Sequence, residues 1–251
     1  MNKLADELQQ VIAENHRYED DRKTMIANIS HDLRTPMTSL LGYIEMLKSE
    51  NQLALEEKAK YLDIIQSKGA FLYELMEDFF QLSKLDFEEK GQDIGMVNIS
   101  EVIRQNMASF YNDFKKLGIE PEIKMPDEDV YITGNEADMQ RILNNLIWNA
   151  LKYGNDGGHI GVELRNEGSR AIVDVWDKGK GIPEQELPYV FERLYALEKS
   201  RNAKLQGSGL GLTIVKKLIE KYNGSIEVTS VPYEKTVFSF NLAKCNRTIN
   251  E

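Results

Sequence analysis

The sequence predicts an α + α/β chain in two parts: a dimeric antiparallel helical hairpin that pairs into a four-helix bundle, followed by an α/β sandwich of mixed strand order. Two long apolar stripes at helical spacing fill residues up to 86, and Gly91-Gln92-Asp93-Ile94-Gly95 then ends the pattern as a linker. Beyond it, short strand-like and helix-like segments alternate without the regular strand-helix repeat of a doubly wound sheet, which weakens any Rossmann reading of the glycines. With 251 residues and 41% hydrophobic content, the chain can supply one or two real cores.

Composition narrows the partners. A formal charge of -10 and a pI near 5.0 argue against nucleic acid as a partner, because such binders display a basic face. The single cysteine, Cys245, forms no intramolecular disulfide and suits a reducing cytosol. No apolar run approaches the roughly 20 residues of a membrane span, and the charged start is not followed by a signal-peptide core. The expectation is a chain that stays in water.

Residues 1–24 carry Leu4, Leu8, Val11 and Ile12 at helical spacing amid charges, as in a coiled-coil lead-in helix. It runs without a breaker into Ser30-His31-Asp32-Leu33-Arg34-Thr35-Pro36. At about 100° per residue, Met25, Ile29, Leu33, Pro36, Leu40 and Leu47 share one side, and His31 lies about 200° from Ile29 and Leu33, facing solvent. A lone exposed histidine is ordinarily just a surface residue; its neighbours make this one a candidate nucleophile. Pro36 predicts a kink or local loosening. Over 56–86, Ile65, Leu72 and Phe79 recur every seven residues beside Leu75 and Leu82. One hairpin has more apolar stripe than it can bury against itself, so two hairpins pair as a homodimer.

In the second part, strands are expected at 97–99, 119–124, 130–133, 159–165, 170–176, 225–230 and 235–242, with helices at 101–117, 136–153 and 209–222. Gly207-Ser208-Gly209-Leu210-Gly211-Leu212 is a weak signal alone, yet it opens a helix, where free N–H groups and the dipole favour phosphate. Asp177-Lys178-Gly179-Lys180-Gly181 follows a strand and sets a carboxylate at its end, an acceptor able to read an exocyclic amine. Asn145 and Asn149, four apart on one helix face, stand a turn before Lys152 and Tyr153. A polar helix face is the ordinary alternative.

In order, these pieces resemble the bacterial sensor histidine kinases of two-component systems over roughly residues 20–244. Ser30–Pro36 looks like the phosphoacceptor box, Asn145–Tyr153 the N box, Asp177–Gly181 the first glycine box, Phe191–Tyr195 the F box and Gly207–Leu212 the second glycine box. The resemblance implies a HisKA-type dimerisation domain and a GHKL-type ATP-binding domain. The implied division is a signalling helix at 1–24, dimerisation and histidine phosphotransfer at 25–90, the ATP-binding domain at 94–244 and a tail at 245–251.

The resemblance implies that His31 is the nucleophile attacking the γ-phosphorus of ATP and that Asp32 accepts the Nδ1 proton. It makes Asn149 a Mg²⁺ ligand with Asn145 nearby, Lys152 a neutraliser of phosphate charge, Tyr153 a nucleoside contact and Asp177 the acceptor of the adenine amine. Gly179, Gly181, Gly207, Gly209, Leu210 and Gly211 belong to the two glycine boxes, and 196–206 looks like a lid over ATP. Thr35, four residues after His31, is implied to orient the water that dephosphorylates a response regulator, although a threonine before proline often bonds only local backbone. The implied partners are a second copy of the chain and a response regulator with a phosphoacceptor aspartate.

Some positions depart from the family pattern. Ala196 stands where an arginine that reaches the γ-phosphate is frequent, so that role is unfilled or falls to Arg193 or Arg201. Asn135 replaces a frequent aspartate and Met37 a usual leucine, both as structural variation. A gyrase-type ATPase would carry a water-activating glutamate where Asn145 stands, and a non-catalytic ATP-binding scaffold would have no use for the His31-Asp32 pair. Residues 2–10 resemble the end of a membrane-proximal signalling helix, so the expectation is a cytoplasmic piece of a cell-membrane sensor.

Overall fold

The computed structural model describes residues 2–49, 54–87, 94–192 and 209–245. The chain divides into two compact units, Met1–Phe80 and Gln81–Glu251.

Two long helices make the first unit: α1 (Asn2–Ser49) and α2 (Leu55–Phe87), the latter continuing past the unit boundary. Acidic Glu56 and Glu57 occupy the first turn of α2, where the exposed amides favour negative charge, and the Glu57 carboxylate accepts the Ala54 N–H at 3.4 Å. The rings of Tyr43 and Tyr61 meet at 5.4 Å, and the Leu40 side chain lies against Gly69. Stepping back along α1 therefore means stepping forward along α2, which makes the pair an antiparallel hairpin. Ile29, Pro36 and Leu75 are buried, and Leu33, Leu40, Leu47, Ile65, Leu72 and Phe79 are half-buried, as the stripes predict. A second apolar set is exposed: Met37, Leu41 and Met46 on α1, and Leu62, Tyr73, Met76 and Phe80 on α2.

The loosening expected at Pro36 is not seen as a break, since α1 runs through it as continuous helix. Around the proline, the Thr35 hydroxyl donates to the His31 carbonyl at 3.3 Å and the Thr38 hydroxyl to the Arg34 carbonyl at 2.9 Å. Side-chain donors thus serve carbonyls on the turn that the proline perturbs.

The second unit holds β1 (Gly95–Asn98), α3 (Ile99–Ser109), α4 (Tyr111–Leu117), β2 (Glu120–Lys124), β3 (Tyr131–Gly134), α5 (Glu136–Tyr153), β4 (His159–Glu167), β5 (Arg170–Asp177), α6 (Gly211–Lys221), β6 (Ser225–Val231) and β7 (Lys235–Ala243). The main sheet has the order β2-β4-β5-β7-β6, with β2 parallel to β4 and the other pairings antiparallel; β1 and β3 form a separate antiparallel pair. Helices α5 and α6 pack on this sheet and on each other, and α3 packs on α5. Met139, Ile142, Leu143, Leu146, Ile147 and Ala150 form the buried stripe of α5, at the i, i+3, i+4 spacing that one helix face requires.

Three boundaries differ from expectation. The first strand ends at Asn98, whose side chain accepts the Glu101 N–H at 3.1 Å, so Ile99 opens a helix instead of closing a strand. The single helix expected at 101–117 breaks at Phe110, where the buried Asn106 amide and the Ser109 hydroxyl bond local carbonyls and the Phe110 ring packs on Phe114 and Trp148. The helix expected at 209–222 starts at Gly211, because Gly209 has φ +68, a left-handed conformation incompatible with a helical turn. No helix among the described residues is long and apolar enough to cross a membrane.

Candidate active site

His31 is on the first unit, on the exposed side of α1. Its side chain is 76% exposed and that of Asp32 is 47% exposed, with the imidazole Nδ1 3.4 Å from the Asp32 Oδ1. Adjacent helical residues point about 100° apart, so this contact requires both side chains to lean together over the surface. Carboxylate contact at Nδ1 favours the tautomer protonated there and leaves Nε2 as the nitrogen with a lone pair for attack. Thr35, one turn on, is exposed and donates its hydroxyl to the His31 carbonyl.

The other candidate residues that the structure describes lie in the second unit, around the C-terminal half of α5. Asn135 caps this helix by accepting the Asp138 N–H at 3.2 Å, which gives the departure from aspartate a structural role. Asp138 in turn binds the Lys221 ammonium at 3.0 Å and the Tyr222 hydroxyl at 2.5 Å, tying α5 to the end of α6. At the opposite end of α6 the two helices also meet closely, since a Cβ on Gly211 would stand 2.9 Å from the Asn145 Oδ1. The N-box amide and the start of the second glycine-box helix therefore face each other. Leu210 is fully buried as the N-cap residue of α6, and Gly209 makes the left-handed turn before it. The Thr213 hydroxyl donates to the Phe191 carbonyl at 3.1 Å, and Phe191 meets Phe238 edge-on at 6.1 Å, anchoring the start of the F box.

Asn149, Lys152 and Tyr153 are half-buried on the same side of α5 as Asn145, and the Lys152 ammonium stands 5.0 Å from the centre of the Tyr153 ring. Asp177, at the end of β5, is 7% exposed, and its Oδ1 accepts the Gly179 N–H at 2.9 Å. Burial pushes its carboxyl up from an ordinary 3.8 to about 6; the Gly179 N–H partly offsets this and the charge of Asp156 adds to it. Gly181 has φ +75, and a Cβ there would stand 2.7 Å from the Pro232 Cα. The β6–β7 hairpin buttresses this loop, with the Tyr233 N–H donating to the Gly179 carbonyl at 2.9 Å and the Ile182 N–H to the Ser230 Oγ at 2.9 Å. Arg193, Ala196, Arg201, Gly207 and the lid segment 196–206 lie outside the described residues.

Residues 21–88 match the His Kinase A (phospho-acceptor) domain, and residues 134–245 match the histidine kinase-, DNA gyrase B- and HSP90-like ATPase domain. The sensor histidine kinase YcbM of Bacillus subtilis is 41% identical over 244 residues, covering 97% of this chain and 78% of its own length. The chain belongs to the sensor histidine kinases.

It is a protein-histidine kinase with an ATP-binding domain, and the family's reaction is ATP-dependent phosphorylation of a histidine followed by transfer to a response regulator. Among other sensor histidine kinases, WalK of Bacillus subtilis is 30% identical over 92% of this chain, but the chain spans only 38% of WalK. The fold is shared with histidine kinase ThkA in its complex with response regulator protein TrrA (TM-score 0.73, 24% identity, 91% of this chain and 66% of that one). It is also shared with Acinetobacter baumannii histidine kinase AdeS (TM-score 0.66, 21% identity, 86% of this chain and 98% of that one).

Several residues of the sensor histidine kinase site escaped the sequence reading. Gly154, Asp156 and Gly157 follow α5 and press against the Asp177 loop, and Ser230, Pro232 and Tyr233 back that loop from the hairpin. The run Gly154-Asn155-Asp156-Gly157-Gly158 was the available signal for the first group, three glycines and an acid directly after the N box.

Proposed function

We propose that this kinase phosphorylates its own His31 from ATP held by the α5–α6 cleft and the Asp177 loop, then passes the phosphoryl group to an aspartate of a response regulator. The observation that carries the reading is the exposed His31 imidazole with Asp32 at its Nδ1. The Nε2 lone pair forms the N–P bond while the bond from the γ-phosphorus to the bridging oxygen breaks and ADP departs. The Nδ1 proton moves to Asp32, so positive charge does not accumulate on the ring.

In the second unit, the Asp177 carboxylate accepts the adenine amine, Tyr153 packs on the nucleoside, and Lys152 neutralises phosphate charge. Amides at the start of α6, reached through Gly207, Gly209, Leu210 and Gly211, receive phosphate oxygens. Asn149, with Asn145 beside it, offers amide oxygens to Mg²⁺. This donor set fits a hard cation that shares its ligands with nucleotide phosphates, and among the described residues no cluster of His, Cys, Asp and Glu could hold a metal by itself. When bound, the ion neutralises phosphate charge. Arg201 or Arg193 supplies the cation missing at Ala196.

The active form is a homodimer, supported by the apolar residues left exposed on both helices of the hairpin, which a four-helix bundle would cover. The domains are proposed to run 25–90 for dimerisation and phosphotransfer and 94–244 for ATP binding, preceded by a signalling helix at 1–24 and followed by a tail at 245–251. A cytoplasmic setting, within a cell-membrane sensor, matches the need for ATP. Thr35 serves dephosphorylation of the regulator: hydrogen bonding through its hydroxyl proton to the His31 carbonyl leaves its lone pairs to accept from a water that attacks the regulator's acyl phosphate, freeing the aspartate carboxylate and inorganic phosphate. The test is incubation with γ-labelled ATP and Mg²⁺. Label that is acid-labile and alkali-stable is expected, whereas acid-stable label or none would overturn the assignment.

A further inference from the structure

Three glycines fit the turn after α5 into the loop after β5. A Cβ on Gly154 would stand 2.2 Å from the Asp177 Cγ, one on Gly157 would stand 2.2 Å from the Lys178 carbonyl carbon, and one on Gly179 would stand 2.4 Å from the Gly154 Cα. Approaches that close exclude even a methyl group, so the two backbones share one seam and whatever fixes one fixes the other. The polar fastening across the seam is Asp156. Its Oδ1 accepts the Lys180 N–H at 3.2 Å, while the preceding amide, that of Gly179, goes to the Asp177 Oδ1 at 2.9 Å. Two successive amides of the first glycine box are thus held by two different carboxylates, one from the loop itself and one from across the seam.

We propose that Asp156 is a positioning residue of the nucleotide site: its carboxylate holds the Lys178–Lys180 backbone so that Asp177 faces the adenine amine, and its negative charge adds to the pH dependence that the burial of Asp177 gives adenine-nucleotide binding. The proposal rests on the reading of Asp177 as the adenine acceptor.

The groups around Asp177 come from four elements. The last turn of α5, which Gly154 continues against the Asp177 side chain, carries Lys152 and Tyr153, and the turn after it carries Asp156. Opposite Asp177, β4 brings Ile160 with His159 beside it, and β7 brings Thr236 with Lys235 beside it. Lys178 and Lys180 stand on the loop itself. The ammonium groups of Lys178 and Lys235 lie over the Trp176 ring, 5.8 and 4.5 Å from its centre. Asp156 is the charged neighbour whose field acts on Asp177, adding to the effect of burial. An ionised carboxylate is the stronger acceptor for an amine. Nucleotide affinity therefore falls as pH drops through about 6, where Asp177 takes up its proton.

Two substitutions separate position from charge. Asp156→Asn keeps an oxygen for the Lys180 N–H and removes the charge, so Asp177 stays ionised to lower pH. Asp156→Ala removes both. The experiment is calorimetric titration with ADP between pH 5 and pH 8 on the full chain, its Asp156→Asn and Asp156→Ala variants, and Asp177→Asn. Titration of the nucleotide's own phosphate is common to all and cancels in ratios of Kd.

The Kd ratio of Asp156→Asn to wild type is expected to shift in the variant's favour by about threefold from pH 8 to pH 5. Asp156→Ala is expected to bind about tenfold more weakly at pH 8, where the charge-assisted hydrogen bond to Lys180 is lost. A ratio independent of pH, or Asp156→Ala binding like wild type at pH 8, would overturn the proposal. Wild-type affinity in Asp177→Asn would instead overturn the reading of Asp177, whatever the Asp156 variants do.

Discussion

The two regions proposed to carry the chemistry are built in opposite ways. His31 is exposed and Asp32 half-exposed on the surface of a helix, and the contact between them is long, 3.4 Å. Asp177 is buried, pinned by a backbone amide, and enclosed by glycines that admit no side chain. A nucleophile that must meet both a nucleotide and a regulator has to be reachable, so its environment contributes little stability and tolerates replacement. A recognition carboxylate gains selectivity from being fixed and dry, and the fold carries the cost of keeping it charged. Substitutions on α1 should therefore separate chemistry from stability, while those at the seam should change both.

The largest expected effect belongs to the seam. Gly154→Ala places a methyl group 2.2 Å from the Asp177 Cγ, inside any tolerable contact. A loss of about 2–4 kcal/mol of stability is expected in a denaturant titration, because the Asp177 side chain it meets is short, buried and held by the Gly179 N–H. Nucleotide binding by the folded fraction should fall with it. Wild-type stability here would erase the contrast between the two regions.

Asp32→Asn comes next, with a labelling rate reduced by about a hundredfold from loss of the proton acceptor. Its melting temperature should stay within about a degree of wild type, since the side chain is half-exposed and its one charged contact is long. A melting shift as large as that of Gly154→Ala would show that α1 is not the tolerant region described.

Asp177→Asn should move binding and stability in opposite directions. Its carboxyl is raised from 3.8 unfolded to about 6 folded, so between those values the native state holds more protons than the unfolded state. Stability from this group is present below pH 3.8 and is lost as pH rises through about 6. At pH 7.5 the ionised group costs up to about 3 kcal/mol, which the neutral amide removes. A higher melting temperature with weakened ADP binding is expected at pH 7.5, the stability gain shrinking toward pH 5. A variant less stable than wild type at pH 7.5 would contradict the burial argument.

The smallest effect on phosphorylation belongs to Thr35→Ala, whose labelling rate should stay within about twofold of wild type because its hydroxyl bonds backbone and not the imidazole. Decay of purified phosphorylated regulator with ADP should slow severalfold. Equal decay rates would remove Thr35 from the phosphatase reaction.

How legible each feature was depends on how local its cause is. Helix α5 could be read to the residue because its apolar stripe, the Asn135 cap and the Gly154 stop are all written in its own sequence. The break at Phe110 could not, since 101–117 is amphipathic throughout and the break reflects ring packing on Trp148, a residue from another helix. Gly209 looked like a helix start because sequence shows a glycine and not the sign of its φ. The candidate site divides similarly. Asn145, Asn149 and Lys152 share a face by spacing alone, whereas the fit of Gly154, Asp156 and Gly157 to the Asp177 loop arises only when segments more than twenty residues apart meet. What marks that seam is missing side chains, and a missing side chain does not say what approaches it.

If nucleophile and nucleotide site are separate devices on one chain, His31→Gln must remove one and leave the other. Calorimetric titration with ADP and labelling with γ-labelled ATP would be run on the same preparation of this variant and of wild type. ADP affinity within about twofold of wild type is expected, as for an exposed substitution outside the binding site, together with complete loss of the acid-labile label. Retained label, or loss of label accompanied by loss of ADP binding, would contradict that separation.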